Sequence, residues 1–272
     1  MVKNELLIEA AELTRIIGSK NCVVIDCRAK LDDPDWGQNE YFRGHIPGAT
    51  FADLNTHLSA PAGSRGRHPL PKRQSFTDLL QGWGVTHDKL VVPYDSNNHV
   101  YACRFWWMAR WVGMANVRVL NGGLRSWLDL GESLSTDVPM QTQKRSQFVA
   151  KPALTRTVSA DDIQNHDYTL IDARAPERFR GEIETIDSKA GHIPGAVCHP
   201  YEANLSTDGR FNTHGAQFSA LTGNSDIVCY CGSGVSATQN IMGILLAGLP
   251  EPALYPGSWS EWIQNPSRPT SP

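Results

Sequence analysis

Ile227-Val228-Cys229-Tyr230-Cys231-Gly232-Ser233-Gly234-Val235-Ser236-Ala237 joins two backbone patterns at one cysteine. A short β-prone run delivers Cys231 to the mouth of a Gly/Ser loop, and helix-compatible sequence continues through Gln239, Ile241, Met242, Ile244, Leu245 and Leu246. The order is strand, loop, helix. Successive N–H groups of such a loop can turn toward one point, and the helix adds its positive end, so a thiolate at Cys231 would be stabilised. The thiolate is the nucleophilic form of cysteine, which makes Cys231 a candidate nucleophile. The competing reading is a tight turn around an inert buried cysteine.

Composition sets the outer bounds. The 272 residues, 19% charged and 40% hydrophobic, have room for one large or two ordinary globular domains. A formal charge of −3 gives no global basic field. The nearest approach to a basic patch, Arg65-Gly66-Arg67-His68 with Lys72-Arg73, reads as a solvated, proline-rich loop, so no nucleic-acid partner is expected. The N-terminus shows an amphipathic pattern with no apolar leader, and nothing reaches the length of a membrane span, which together predict a cytoplasmic protein without a membrane partner. Six dispersed cysteines make no disulfide framework and no metal-ligand spacing, so no metal is expected.

Self-similarity organises the remainder. Cys22-Val23-Val24-Ile25-Asp26-Cys27-Arg28 recurs as Tyr168-Thr169-Leu170-Ile171-Asp172-Ala173-Arg174. Arg43-Gly44-His45-Ile46-Pro47-Gly48-Ala49 recurs as Ala190-Gly191-His192-Ile193-Pro194-Gly195-Ala196. Asn121-Gly122-Gly123-Leu124-Arg125-Ser126-Trp127 answers Pro256-Gly257-Ser258-Trp259-Ser260-Glu261-Trp262. Matches in the same order mean a tandem duplication. Patterning predicts helices over 8–17, 75–83 and 100–112 and after 120, with strands over 23–26, 50–52, 90–94 and 117–120. The second half has a capping box at Ser159-Ala160-Asp161-Asp162, a strand over 169–172, a helical turn or two over 174–180, an irregular loop over 181–190 and a tail over 266–272 expected to fray. Alternating strands and helices predict an α/β chain of parallel sheets flanked by helices, with ligands beyond the carboxyl ends of the strands. A polar connector around 141–146 divides the chain into a first domain over 1–138, a linker over 139–152 and a second domain over 153–272.

The repeated Asp26, Asp172, His45 and His192 invite a catalytic reading, but an Asp at a strand end before Arg and a Pro/Gly turn equally suits polar scaffolding. Divergence between the copies says more. Val91-Val92-Pro93-Tyr94-Asp95 aligns with Ile227-Val228-Cys229-Tyr230-Cys231, so Asp95 stands where the second half has its cysteine. One active site, in the second half, is expected, with an inert loop in the first domain, which serves as a wall.

These paired signatures, with the closing Gly-Ser-Trp-Ser-Glu-Trp and the Cys-Gly-Ser-Gly-Val-Ser-Ala loop, resemble the two-domain rhodanese family of sulfurtransferases over nearly the whole chain. The resemblance implies two tandem rhodanese-like domains, the first without a catalytic cysteine. It also implies a Cys231 persulfide that carries sulfur from a small-molecule donor to an acceptor: thioredoxin, a small thiol or cyanide. No cofactor is implied. The uncharged loop is similar to the 3-mercaptopyruvate type. The thiosulfate type places basic residues after the cysteine. By the same resemblance Gly232, Gly234, Val235, Ser236 and Ala237 cradle the sulfur, Ser233 adds a hydroxyl, and His68 reaches the substrate from the first half. Arg178 takes the donor carboxylate, for which a guanidinium fork is suited. The chain departs from the pattern at 182–190, where the mercaptopyruvate type has a second arginine and this sequence offers only Lys189. It departs again at Asn55, where the family has an aspartate. Alternatives are a thiosulfate:cyanide sulfurtransferase and a non-catalytic sulfur carrier or binding module. A phosphatase would need an arginine closing the cysteine loop, and residues 231–237 contain none.

Overall fold

Cys22-Val23-Val24-Ile25-Asp26 and Leu90-Val91-Val92-Pro93-Tyr94 are almost continuously apolar, as strands covered on both faces are. In the computed structural model, which describes residues 3–96, 98–139, 145–213, 215–223 and 226–272, they lie parallel with Cys22 opposite Leu90 and Asp26 opposite Tyr94. Residues 140–144 of the expected linker and Asn97 of the first loop fall outside the described residues.

The first half runs α1 (Lys3–Leu6), β1 (Leu7–Ile8), α2 (Ala10–Ile16), β2 (Cys22–Asp26), α3 (Trp36–Arg43), β3 (Thr50–Phe51), α4 (Arg73–Gly82), β4 (Leu90–Tyr94), α5 (Val100–Trp111), β5 (Val119–Leu120) and α6 (Gly123–Leu128). The second half runs α7 (Ala160–Asn165), β6 (Thr169–Asp172), α8 (Pro176–Phe179), β7 (Val197–Cys198), β8 (Ile227–Tyr230), α9 (Ala237–Leu246), β9 (Ala253–Leu254) and α10 (Ser258–Trp262), with 3₁₀ turns at Tyr201–Asn204 and Ala216–Leu221. Strand order is β3-β2-β4 in one sheet, with β1 pairing β5 beside a Val91–Val117 bridge, and β7-β6-β8-β9 in the other. Each pairing between these strands is parallel, and the antiparallel bridges among the described residues are isolated ones. The sheets are therefore duplicates, as the sequence repeat requires.

By compactness the chain forms two units. One comprises Met1–Ala60, Pro71–Leu154 and Thr207–Phe211, and the other Pro61–Leu70, Thr155–Ser206 and Asn212–Pro272. Each has its own core. Val24, Val92, Leu120 and Trp127 pack in the first, and Leu170, Val228, Tyr255, Trp259 and Trp262 in the second. Among the described residues no helix is long and apolar enough to cross a membrane.

The repeated polar residues turn out to be scaffold. Arg28 donates through Nε and Nη2 to both Asp26 oxygens and through Nη2 to the Gly44 carbonyl at 2.7 Å. Arg174 does the same with Asp172 and with Gly191 O at 2.8 Å. His45 and His192 stack on Tyr41 and Phe179, and each holds a carbonyl through Nδ1 at 2.8 Å. Both Asp–Arg pairs are nearly inaccessible, and removing one partner of such a pair costs about 3–5 kcal/mol because a charge is left buried. Their duplication follows from the repeated connection.

Two expectations are corrected, and one helix had no expectation. Ile8 belongs with Leu7 to β1 rather than to the start of a helix, because parallel pairing with Val119 and Leu120 satisfies their backbone. The segment Trp36–Arg43 is helical, although its apolar residues are too few to announce it. The tail does not fray: Ser271 exchanges backbone hydrogen bonds with His192 at 2.8 and 3.0 Å, as Ser135 does with His45, and Trp262 Nε1 donates to Pro269 O at 2.8 Å.

Candidate active site

Strand β8 ends at Tyr230, so Cys231 leaves the sheet at the carboxyl edge and the next residues are free to curl. Gly234 makes the curl possible. Its φ is +77°, and a Cβ there would collide with the Pro256 carbonyl, so the loop accepts only glycine at this point. The result is a cradle in which Gly234 N donates to Cys231 Sγ at 3.1 Å. Cys231 is 2% exposed, and α9 starts directly behind the loop at Ala237. The sulfur thus accepts a backbone N–H from the loop that leads directly into α9.

Ser258 fixes the back of the cradle. Its Oγ accepts from Cys231 N at 3.1 Å and donates to Tyr255 O at 2.9 Å. Ser258 holds φ 53° where its counterpart Gly123 has 56°, so a β-carbon is tolerated in left-handed backbone in exchange for those two bonds. Trp259 N and Ser260 N donate to the carbonyls of Cys231 and Gly232 at 3.0 and 2.9 Å.

Burial pushes the Cys22 and Cys198 thiols up to about 11 and those of Cys27, Cys103 and Cys229 well above the ordinary range. The first copy's loop is filled by its own side chain. Asp95, fully buried, accepts from the N–H groups of His99, Tyr101 and Ala102 at 3.0, 3.1 and 3.2 Å. The donors that would cradle a sulfur are thus used on a carboxylate. Asp53, beside Asn55, is likewise committed to a turn, accepting from the N–H groups of Asn55 and Thr56 at 2.9 and 2.7 Å.

His68 lies in the segment Pro61–Leu70, part of the same compact unit as Cys231, and its Nδ1 sits 2.8 Å from Ser233 Oγ. Gly232 is overhung by guanidinium groups: a Cβ on it would lie 2.8 Å from Arg67 Nη2 and 3.4 Å from Arg178 Nη1. Arg178 donates through Nε and Nη2 to Glu184 and through Nη2 to Asp187, all at 2.9–3.1 Å. Its described ion-pair partners are therefore Glu184 and Asp187. Arg67 pairs with the other oxygen of Asp187. The expectation of a solvated loop around Arg67 is overturned, because its side chain is only 26% exposed and is held by that ion pair and by Arg67 N donating to Ser260 Oγ at 3.1 Å. Lys189 is exposed, and its carbonyl accepts from Trp259 Nε1. Arg67, Glu184, Asp187 and Ser258 are the site neighbours that sequence reasoning passed over; only the Gly-to-Ser change between copies at Ser258 carried a local signal. Among the described residues no cluster of His, Cys, Asp and Glu is arranged to hold a metal ion.

Among the described residues, the repeated parallel α/β sheets thus carry a cysteine cradle at the carboxyl end of β8. The family model described as the rhodanese-like domain matches residues 9–130 and 156–265, and the chain belongs to that family. It is 42% identical over 97% of both chains to a Pseudomonas aeruginosa protein whose name assigns it provisionally to the 3-mercaptopyruvate sulfurtransferases. It is 40% identical to SseB of Mycobacterium tuberculosis, over 98% of this chain and 97% of that one, a protein assigned provisionally to the thiosulfate sulfurtransferases. Among solved structures, the 3-mercaptopyruvate sulfurtransferase of Leishmania major matches with a TM-score of 0.83 at 29% identity, covering 96% of this chain and 74% of that one.

Proposed function

We propose that this protein is a sulfurtransferase that moves sulfur from 3-mercaptopyruvate to a thiol or cyanide through a persulfide on Cys231. The observation that carries the reading is the Gly234 N–H donated to a sulfur otherwise enclosed by loop and helix end. Cys231 Sγ attacks the donor sulfur, forming an S–S bond while the C–S bond breaks. The bonding pair leaves on carbon as the enolate of pyruvate, which takes a proton. Attack by the acceptor on the outer sulfur then returns the thiolate. The scheme uses no metal or organic cofactor.

Ser233, hydrogen-bonded to His68, is suited to deliver that proton, and N–H groups of the loop formed by Gly232, Gly234, Val235, Ser236 and Ala237 hold the persulfide charge. Arg178 binds the donor carboxylate. A thioredoxin-type protein thiol or a small thiol is the acceptor in a cytoplasmic setting, cyanide serving in the assay. The catalytic domain spans 153–272, following a domain over 1–138 without the cysteine and a linker over 139–152. Thiosulfate is the second donor to consider, because the relatives carry both names and guanidinium groups overhang an otherwise uncharged loop.

The decisive experiment is Cys231→Ser. The wild-type chain treated with mercaptopyruvate should gain one sulfur by mass on Cys231 and turn over to thiocyanate with cyanide, and the variant should do neither. Turnover retained by Cys231→Ser would sink the mechanism, and side-by-side kinetics with thiosulfate rank the donors.

A further inference from the structure

Ser260 touches both sides of the meeting between His68 and Ser233. Its backbone N–H donates to Gly232 O at 2.9 Å, and its Oγ accepts from Arg67 N at 3.1 Å while donating to Gly257 O at 3.1 Å. Gly232 precedes Ser233, and Arg67 precedes His68. One residue therefore ties down the neighbour of each member of the pair, whose own atoms lie 2.8 Å apart. The segment that carries His68 is docked just as closely. Gly63 and Gly66 exchange backbone hydrogen bonds at 3.1 and 3.0 Å, and Gly63 O also accepts from Gln264 Nε2 at 2.9 Å. Gly66 has φ +96°, and a Cβ on it would lie 2.8 Å from both Gly257 O and Ser260 Oγ, so only glycine lets the segment come this near to α10.

The first unit shows which part of this is inherited. There Arg125 stands at the position of Ser260, and its N–H donates to Ser96 O at 3.3 Å, so the backbone clamp on the loop is common to both copies. The side chain differs: Arg125 is exposed and pairs with Asp129 at 2.7 Å. The segment packed in that unit, Gly209-Arg210-Phe211, answers Gly66-Arg67-His68, and it is held by Phe211 N donating to Asn121 Oδ1 at 3.0 Å. A phenylalanine there takes the place of the histidine. The hydroxyl at position 260 thus goes with the copy that has the cysteine. Resting on the sulfurtransferase reading, we propose that Ser260 is a positioning residue for that reaction: its hydroxyl, with Gly66 allowing the close approach, sets His68 against Ser233 for proton delivery to the departing enolate. Ser233 Oγ–H gives its proton to the enolate carbon and regains one from His68, and solvent restores the imidazole. Discharge of sulfur to an acceptor makes no enolate, so Ser260 acts on one half of the reaction only.

Single-turnover kinetics of the full chain separate the two halves. Ser260→Ala keeps the N–H to Gly232 and deletes the hydroxyl. Persulfide formation at saturating mercaptopyruvate is expected to slow about tenfold, with discharge of the persulfide to cyanide changed by less than about twofold. Gly66→Ala is expected to give the same split, and Ser260→Thr, which retains the hydroxyl, to keep most of the rate. On a His68→Ala background neither alanine substitution should cost anything further. Equal losses in both halves, or an undiminished loss on the His68→Ala background, show a merely structural role and overturn the proposal; Ser260→Ala decides alone if Gly66→Ala does not fold. Nitrogen–proton correlation spectra of the histidine rings read the position without activity: the signal missing in His68→Ala identifies His68, and it should move in Ser260→Ala. An unmoved signal overturns the positioning. A wild-type chain that forms no persulfide refutes the sulfurtransferase reading instead, and the same spectrum still decides whether Ser260 places His68.

Discussion

At the scale of single residues, Ser258 connects strain to reactivity. Its left-handed backbone costs on the order of 1 kcal/mol for a residue with a β-carbon, and its hydroxyl joins Cys231 N to Tyr255 O. Ser258→Ala keeps the strain and deletes both bonds, leaving a buried N–H unpaired. A loss of about 1–3 kcal/mol is expected in urea unfolding, together with slower persulfide formation. Ser258→Gly removes the strain and should lose less. Equal stability of the alanine and glycine variants would deny that backbone strain is stored here. Asp95 shows the opposite solution, since its carboxylate consumes the loop donors and leaves no place for a transferred sulfur.

Among the elements, α7 shows local code surviving intact. Ser159 Oγ accepts from Asp162 N at 3.1 Å while an Asp162 oxygen accepts from Ser159 N at 2.8 Å, the reciprocal box anticipated from Ser-Ala-Asp-Asp. Hydrogen bonds from Ser159 N and then its hydroxyl hold the Asp162 carboxyl below its ordinary 3.8. A depressed carboxylate contributes stability that is present above the ordinary value and lost as pH falls through the folded one. Asp162→Asn should therefore flatten the acid limb of a urea-stability profile between about pH 5 and 2. An unchanged acid slope would remove the box from the stability of α7. Helix α3 and strand β1 gave no such notice, the first for want of apolar spacing and the second because its partner, β5, lies over a hundred residues away.

Across the whole molecule, burial holds His57, His99 and His199 below the ordinary imidazole value of 6.5, foremost by desolvation. A depressed histidine contributes stability that is complete above its unfolded value and declines as pH drops below it. Resistance to urea should accordingly fall as pH is lowered from about 7.5 to 5, and a flat profile over that range would show that these rings are solvated in the native protein. The duplication, the parallel α/β class, the scaffold alternative for Asp26, Asp172, His45 and His192, and the singling out of Cys231 all followed from the amino-acid sequence. Each rests on periodicity, on spacing within one connection, or on comparing one copy with the other. The second cation over the cysteine, the carboxylate that occupies it and the pairing of His68 with Ser233 did not. Arg67 and Asp187 are 120 residues apart, and His68 and Ser233 are 165 apart. No local pattern encodes such meetings; they exist because the segment Pro61–Leu70 packs within the unit that carries the cysteine, and only the folded chain brings those charges together.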